Sequence, residues 1–211
     1  MKKKAQYLVV GLGRFGSALA TTLAEQGAQV LAIDRSMEAV EANRGKLTEG
    51  VCGDAMDESV LRQLGAADFS AAVITMGDDV KASSVITMHL KELGVPYVIA
   101  KAADDFHGRM LTRLGADKVI FPERDMGQRV AHNLVSEKIM DFIELSPDYS
   151  LMEMRPRPEW IGVPLRELNL RSKHRINVVA VRSGDAVNAM PDPETVLGAD
   201  DMLLVVSQAE E

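Results

Sequence analysis

The sequence predicts an α/β protein: a doubly wound parallel sheet, followed by a small C-terminal α+β domain. Three observations lead there. Short, continuous apolar runs alternate with helix-like runs as far as Asp141. Several helix-like runs close on a glycine followed by a small or apolar residue. Beyond Asp141 the apolar residues switch to alternation with polar ones. Continuous runs suit strands covered on both faces of a parallel sheet; alternation suits strands with one wet face.

Taken in chain order, strands are expected at 7–10, 30–33, 50–52, 72–75, 97–100 and 118–121, and helices at 15–26, 37–44, 58–64, 80–93, 106–114 and 126–140. Gln26-Gly27-Ala28, Leu64-Gly65-Ala66, Leu93-Gly94-Val95 and Leu114-Gly115-Ala116 each put glycine where a left-handed residue closes a helix. Asp78 or Asp79 before Val80, and Asp104 or Asp105 before Phe106, suit helix N-caps. Repeated β-α-β units with right-handed crossovers build the sheet. In the last part, 142–156 alternates, prolines 147, 156, 158 and 164 mark turns, and 177–182 and 202–207 read as strands around a Ser183-Gly184-Asp185 hairpin.

Composition narrows the function classes. Hydrophobic residues are 46% and charged residues 26%, which excludes disorder and collagen-like repeats. No apolar run nears the ~18 residues of a membrane span, and the Met1-Lys2-Lys3-Lys4 start lacks the apolar core of a secretory signal, so direct membrane insertion is not expected. Cys52, the one cysteine, reads as an inert small hydrophobe in a buried strand; it forms no internal disulfide and fits a reducing cytosol. The net charge of −7 and the 4% aromatic content argue against a nucleic-acid partner.

The central motif is Gly11-Leu12-Gly13-Arg14-Phe15-Gly16, directly after an apolar strand and opening a helix with Phe15, Leu19 and Leu23 on one face. The first glycine permits the tight turn, the second lets backbone approach phosphate, and the third lets helix press on strand. Asp34 closes the second strand, where a carboxylate accepts hydrogen bonds from a ribose and disfavours a 2′-phosphate despite neighbouring Arg35. This is a Rossmann-like nucleotide site. NAD, NADH, ATP and ADP all carry a free adenosine 2′-hydroxyl, so the ligand stays open here. Arg14 is either a surface cation paired with a carboxylate or a cation near the end of the phosphate chain.

No catalytic constellation accompanies the loop. His89, His107, His132 and His174 lack relay or metal spacing and read as packed or surface residues. There is no Gly-x-Ser-x-Gly elbow and no P-loop lysine. The Asp78-Asp79, Asp104-Asp105 and Asp200-Asp201 pairs are better explained by caps and turns, and the 12 methionines by core filling. A nucleotide pocket without catalytic machinery describes a sensor rather than an enzyme. The open alternatives are an NAD(H)-binding redox sensor and an NAD-dependent oxidoreductase domain.

Val9-Val10-Gly11-Leu12-Gly13-Arg14-Phe15-Gly16, Asp34, Gly53-Asp54-Ala55, Val98-Ile99-Ala100-Lys101-Ala102 and Leu114-Gly115-Ala116-Asp117-Lys118-Val119-Ile120-Phe121-Pro122-Glu123 together resemble the RCK family (regulators of potassium conductance), in its KtrA/TrkA-like group, with a TrkA-C-like C-terminal domain. The resemblance implies a nucleotide-binding domain at 1–125, a crossover helix at 126–141 and the C-terminal domain at 142–211. It implies a cytoplasmic regulatory subunit, peripheral on the inner face of the plasma membrane, that gates an integral membrane potassium channel or transporter. Homodimers would assemble into an octameric ring, with ATP activating and ADP inactivating.

Carried onto this chain, Gly11, Gly13, Arg14, Phe15 and Gly16 would hold phosphates, and Asp34 and Arg35 would flank the ribose. Asp54 and Ala55 would meet adenine, and Met76, Gly77 and Lys101 would close the pocket. Arg14 would reach a γ-phosphate bound next door in the dimer. Glu123 would hold a divalent cation, Mg2+ or Ca2+, at the dimer interface; on its own terms it is also a favourable first-turn carboxylate of the following helix. The resemblance further places cyclic di-AMP at the C-terminal domain, against Asn169, Leu170, Arg171, Ile176, Asn177 and Pro191, with Arg171 pairing to phosphate.

Overall fold

The computed structural model describes residues 5–135, 139–146 and 148–208; side chains at 132, 133, 135, 139–142 and 144 are outside that description. His132 is therefore outside it. The chain divides into two compact units, Met1–Pro122 and Glu123–Glu211.

The first unit runs β1 (Gln6–Val10), α1 (Arg14–Glu25), β2 (Gln29–Asp34), α2 (Met37–Ala42), β3 (Glu49–Cys52), α3 (Glu58–Gln63), β4 (Ala71–Ile74), α4 (Val80–Glu92), β5 (Val98–Lys101), α5 (Asp105–Arg113) and β6 (Lys118–Ile120). Its sheet is ordered β3-β2-β1-β4-β5-β6, and every pair is parallel. Strand order reverses between β1 and β4, so the crevice for a ligand lies at their carboxyl ends. The continuous apolar runs have a direct cause. Leu8 and Val10 face one layer with Ile33, Ile74, Ile86 and Leu90, while Val9 faces the other with Leu12, Ala20 and Val30. Gly27, Gly65, Gly94 and Gly115 all take positive φ at the helix exits.

Two expectations need correction. β3 is not a strand covered on both faces: it is a sheet edge with largely exposed residues, and Cys52 is exposed rather than buried. An edge strand has a neighbour on one side only, so a short apolar run there does not secure burial. The helix expected over 126–140 instead begins at Pro122, as α6 (Pro122–Val135). Proline suits a first helical position, because its φ is preset and its missing N–H would have had no partner there. Residues 139 and 140 belong to the next strand, and 136–138 lie outside the described residues.

The second unit continues with β7 (Ile139–Ser146), β8 (Tyr149–Met154), α7 (Leu165–Leu168), α8 (Leu170–His174), β9 (Ile176–Ser183), β10 (Ala186–Asn188) and β11 (Met202–Gln208). These strands form an antiparallel sheet ordered β10-β9-β11-β8-β7. One face carries the core of Met154, Trp160, Leu168, Leu203 and Val205. His174 is packed, its ring 5.4 Å from that of Trp160. Among the described residues no helix is long and apolar enough to cross a membrane.

Candidate functional site

The site is built at the carboxyl ends of β1 and β4. Gly11 donates its N–H to Ile33 O at 2.8 Å and adopts φ +98°, a conformation that favours glycine. A Cβ at Gly16 would stand 2.0 Å from Gly11 O, so helix α1 can approach the strand end only with glycine there. Thr75, buried just past β4, places its Oγ1 3.0 Å from Val10 O and 2.9 Å from Gly11 O. That hydroxyl lies 2.6 Å from a Cβ built on Gly11. Gly13 differs: a Cβ there would meet nothing within 4 Å. Its missing side chain leaves open space in front of the loop.

Helix α1 is also left open at its head. Its N-cap, Gly13, supplies no side-chain acceptor, and its first turn holds no acidic residue. In the same unit Ser36, Asp57, Asp79 and Asp104 cap α2, α3, α4 and α5 with side-chain oxygens. The first N–H groups of α1 thus keep their donor capacity and the positive end of the dipole, the physical requirement for binding an anion. Arg14, the first residue of α1, is exposed and has no ion-pair partner among the described residues.

Asp34 is fixed by two backbone donors. Its Oδ2 accepts from Leu12 N–H at 2.6 Å, and its Oδ1 from Ser36 N–H at 2.8 Å. Each oxygen keeps a lone pair for another donor, such as a hydroxyl. Ser17 Oγ donates to Leu12 O at 2.8 Å, and the buried Asn43 donates its Nδ2 to Ser17 Oγ at 3.1 Å. The loop is thereby tied to the end of α2. A cleft of about 180 Å³ opens beside Asp34, lined among others by Arg35, Asp54, Ala55, Met76 and Asp79. Arg35 and Asp54 form an exposed ion pair at 3.0 Å on its rim, a contact worth little in water. The aliphatic stem of Lys101 lies over Gly77, where a Cβ would come within 3.0 Å of it.

The structure therefore brings together Gly11, Gly13, Arg14, Phe15, Gly16 and Asp34 at the loop, with Arg35, Asp54, Ala55 and Met76 at the cleft. Gly77 and Lys101 pair at the ends of β4 and β5. Glu123 stands in the first turn of α6, at the start of the second unit. Among the described residues no three His, Cys, Asp or Glu side chains gather to hold a metal. In the second unit Leu170 and Ile176 are core residues. Asn169 adopts φ 53° between α7 and α8, Arg171 donates to Asn177 Oδ1 at 2.6 Å, and Pro191 is half-buried. Sequence reasoning missed Thr75, Ser17, Asn43 and the cleft face of Asp79. The one signal for Thr75 was a hydroxyl closing the otherwise apolar run at 71–74.

The TrkA-N domain model matches residues 7–122 and the TrkA-C domain model residues 151–211. Ktr system potassium uptake protein C of Bacillus subtilis (strain 168) is 38% identical over 203 residues, 96% of this chain and 92% of that one. The chain belongs to the TrkA/Ktr family of RCK proteins. Other TrkA/Ktr relatives include Ktr system potassium uptake protein A of Bacillus subtilis, 32% identical over 99% of this chain and 94% of its own, and that of Vibrio alginolyticus, 34% identical over 95% and 91%. The TrkA/Ktr fold is also that of the GsuK channel, with a TM-score of 0.71 at 18% identity, covering 98% of this chain and 38% of that one. The GsuK channel bound to NAD gives a TM-score of 0.70 at 16% identity, over 98% and 38%. This chain thus spans well under half the length of those channel chains.

Proposed function

We propose that this chain is a non-catalytic regulatory subunit of a potassium uptake system, and that its first unit senses an adenine nucleotide. The uncapped head of α1, facing the open space at Gly13, carries the reading. Phosphate oxygens accept from the backbone N–H groups that begin α1. The ribose hydroxyls donate to Asp34, and adenine sits beside Ala55 and Met76, flanked by Arg35 and Asp54. Gly77 and Lys101 close the far side.

Arg14 supplies the discrimination. Its guanidinium pairs with a third phosphate, on the same or a neighbouring subunit, and ADP offers no such partner. A ligand shifts a conformational equilibrium only through such differential contacts. ATP then favours the activating state and ADP the inactivating one, read by homodimers in an octameric ring beneath an integral membrane channel or transporter subunit at the cytoplasmic face. A divalent cation, Mg2+ or Ca2+, held by Glu123 belongs to the same reading. Cyclic di-AMP at the second unit would engage Arg171 once its hydrogen bond to Asn177 opens.

A second reading, NAD(H) as the physiological ligand, uses Asp34 in the same way, because the carboxylate accepts from any adenosine ribose. One experiment separates them. Titration of the purified protein with ATP, ADP and NADH, followed by potassium flux in vesicles holding the membrane subunit, should give ATP and ADP binding with opposite effects on flux. Binding of NADH alone would transfer the reading to redox sensing, and flux indifferent to ATP and ADP would overturn nucleotide gating.

A further inference from the structure

His107 is the titratable group that the loop chemistry leaves unused. It lies in the first turn of α5 and is 1% exposed. Its Nδ1 accepts from Ala103 N–H at 3.2 Å, which assigns the proton of the neutral ring to Nε2. Nε2 then donates to Ser83 Oγ at 2.9 Å, and the Ser83 hydroxyl donates onward to Asp79 O at 2.9 Å. Ser83 is fully buried. The chain of hydrogen bonds therefore joins the turn after β5 to the head of α4. The α4 end reaches the cleft, which Asp79 and Ala82 line; at the other end Lys101, two residues before Ala103, lies over Gly77, the neighbour of the cleft residue Met76.

We propose that His107 is a positioning residue which, by remaining neutral, holds the head of α4 against the turn after β5 in the nucleotide-binding arrangement, so that acid weakens nucleotide binding. The inference rests on the nucleotide reading above and adds a regulation to it. A second proton on the ring has one place to go, Nδ1, where it meets the Ala103 N–H head on. Either the ring turns, breaking the Ser83 link, or the turn moves.

The titratable and charged groups on the surrounding elements are Asp104 and Asp105 at the head of α5, with Arg109 and Arg113 further along it, Asp79 and Lys81 at the head of α4, with His89, Lys91 and Glu92 toward its end, Lys101 ending β5 and Lys118 opening β6. Burial lowers the ring's affinity for a proton below that of an ordinary histidine, and the nearby Asp104 opposes this only in part. The folded chain therefore binds fewer protons here than the unfolded chain. Its stabilisation is complete above about pH 6.5, the unfolded value, and is lost progressively as pH falls below it.

The test compares wild type with His107→Gln, whose amide stays uncharged while able to accept from Ala103 and donate to Ser83. ADP affinity is measured between about pH 8 and about pH 5.5. ADP's own phosphate titrates in this range, so the difference between the two proteins is the reading. Wild type should lose on the order of fivefold more affinity than the variant, a modest coupling between sites. Parallel profiles overturn the inference while leaving nucleotide binding in place, whereas no ADP binding by wild type at about pH 8 overturns the nucleotide reading itself. Should the variant not fold, ring nitrogen NMR of wild type decides. With ADP bound the neutral Nε2–H ring should persist to lower pH than without it, and an Nδ1–H tautomer, or the same titration with and without ADP, overturns the inference.

Discussion

Gly16 sits so close to Gly11 that a methyl group on it would come 2.0 Å from the Gly11 carbonyl oxygen. No side-chain movement relieves that contact, because the obstacle is backbone. Gly16→Ala should separate α1 from β1, lowering the melting temperature and abolishing nucleotide binding together. Gly13→Ala should behave differently. Its methyl has room in the protein, so thermal stability should change by less than about 1 kcal/mol, while binding falls because the methyl occupies ligand space. Calorimetric melting and ADP titration of both variants check this; equal losses of stability would refute it.

Thr75→Val keeps the shape of the side chain and removes the hydroxyl that braces Val10 O and Gly11 O. Buried carbonyls would lose a donor, at a cost of about 1–3 kcal/mol. Thr75→Ser should recover most of it. Denaturant unfolding measures the cost, and ADP affinity should follow the same order of wild type, Ser, Val.

Asp34→Asn replaces one carboxylate oxygen with an NH2 group facing a backbone N–H at either Leu12 or Ser36. One loop hydrogen bond must break, and one ribose acceptor disappears. Affinity for ATP, ADP and NADH should fall by comparable factors, on the order of tenfold or more. A loss confined to one of the three would show that Asp34 acts on something other than the shared ribose.

Arg14→Ala should narrow the difference between ATP and ADP affinity more than it weakens ADP. The side chain is exposed and starts a helix, so stability should be nearly unchanged. Isothermal titration of both ligands against both proteins makes the comparison; equal losses would remove Arg14 from terminal-phosphate recognition.

Asp117 makes a pH prediction in the same unit. It accepts from Val98 N–H at 2.7 Å and from Lys91 Nζ at 2.9 Å, and these bonds, Val98 first, hold its carboxyl below the usual carboxylate range. A lowered folded value gives stability that is present above the unfolded value of about 3.8 and is lost as pH falls through the folded one. Asp117→Asn should be less stable than wild type at neutral pH, with the gap closing below about pH 4 in acid titrations followed by circular dichroism.

The parallel sheet, the helix exits and the glycine loop were legible because each rests on local chemistry. Continuous apolar runs need two covered faces, glycine alone takes positive φ cheaply, and a loop from strand to helix with three spaced glycines has few uses. Asp34 was legible for the same reason: it follows directly from the end of β2. The residues alone were thus enough for the α/β class, for the glycine loop at the carboxyl end of β1 and for Asp34 at the end of β2.

Tertiary structure alone decided what depends on neighbours distant in the chain. β3 became an edge, and Cys52 exposed, through strand order, which no local pattern encodes. Thr75 reached the loop across 64 residues because β4 lies beside β1. His107 acquired a buried hydrogen-bond partner, Ser83, because α5 packs its first turn against α4. Burial and hydrogen-bond partners are set by packing between elements, whereas the elements themselves are set by their own residues.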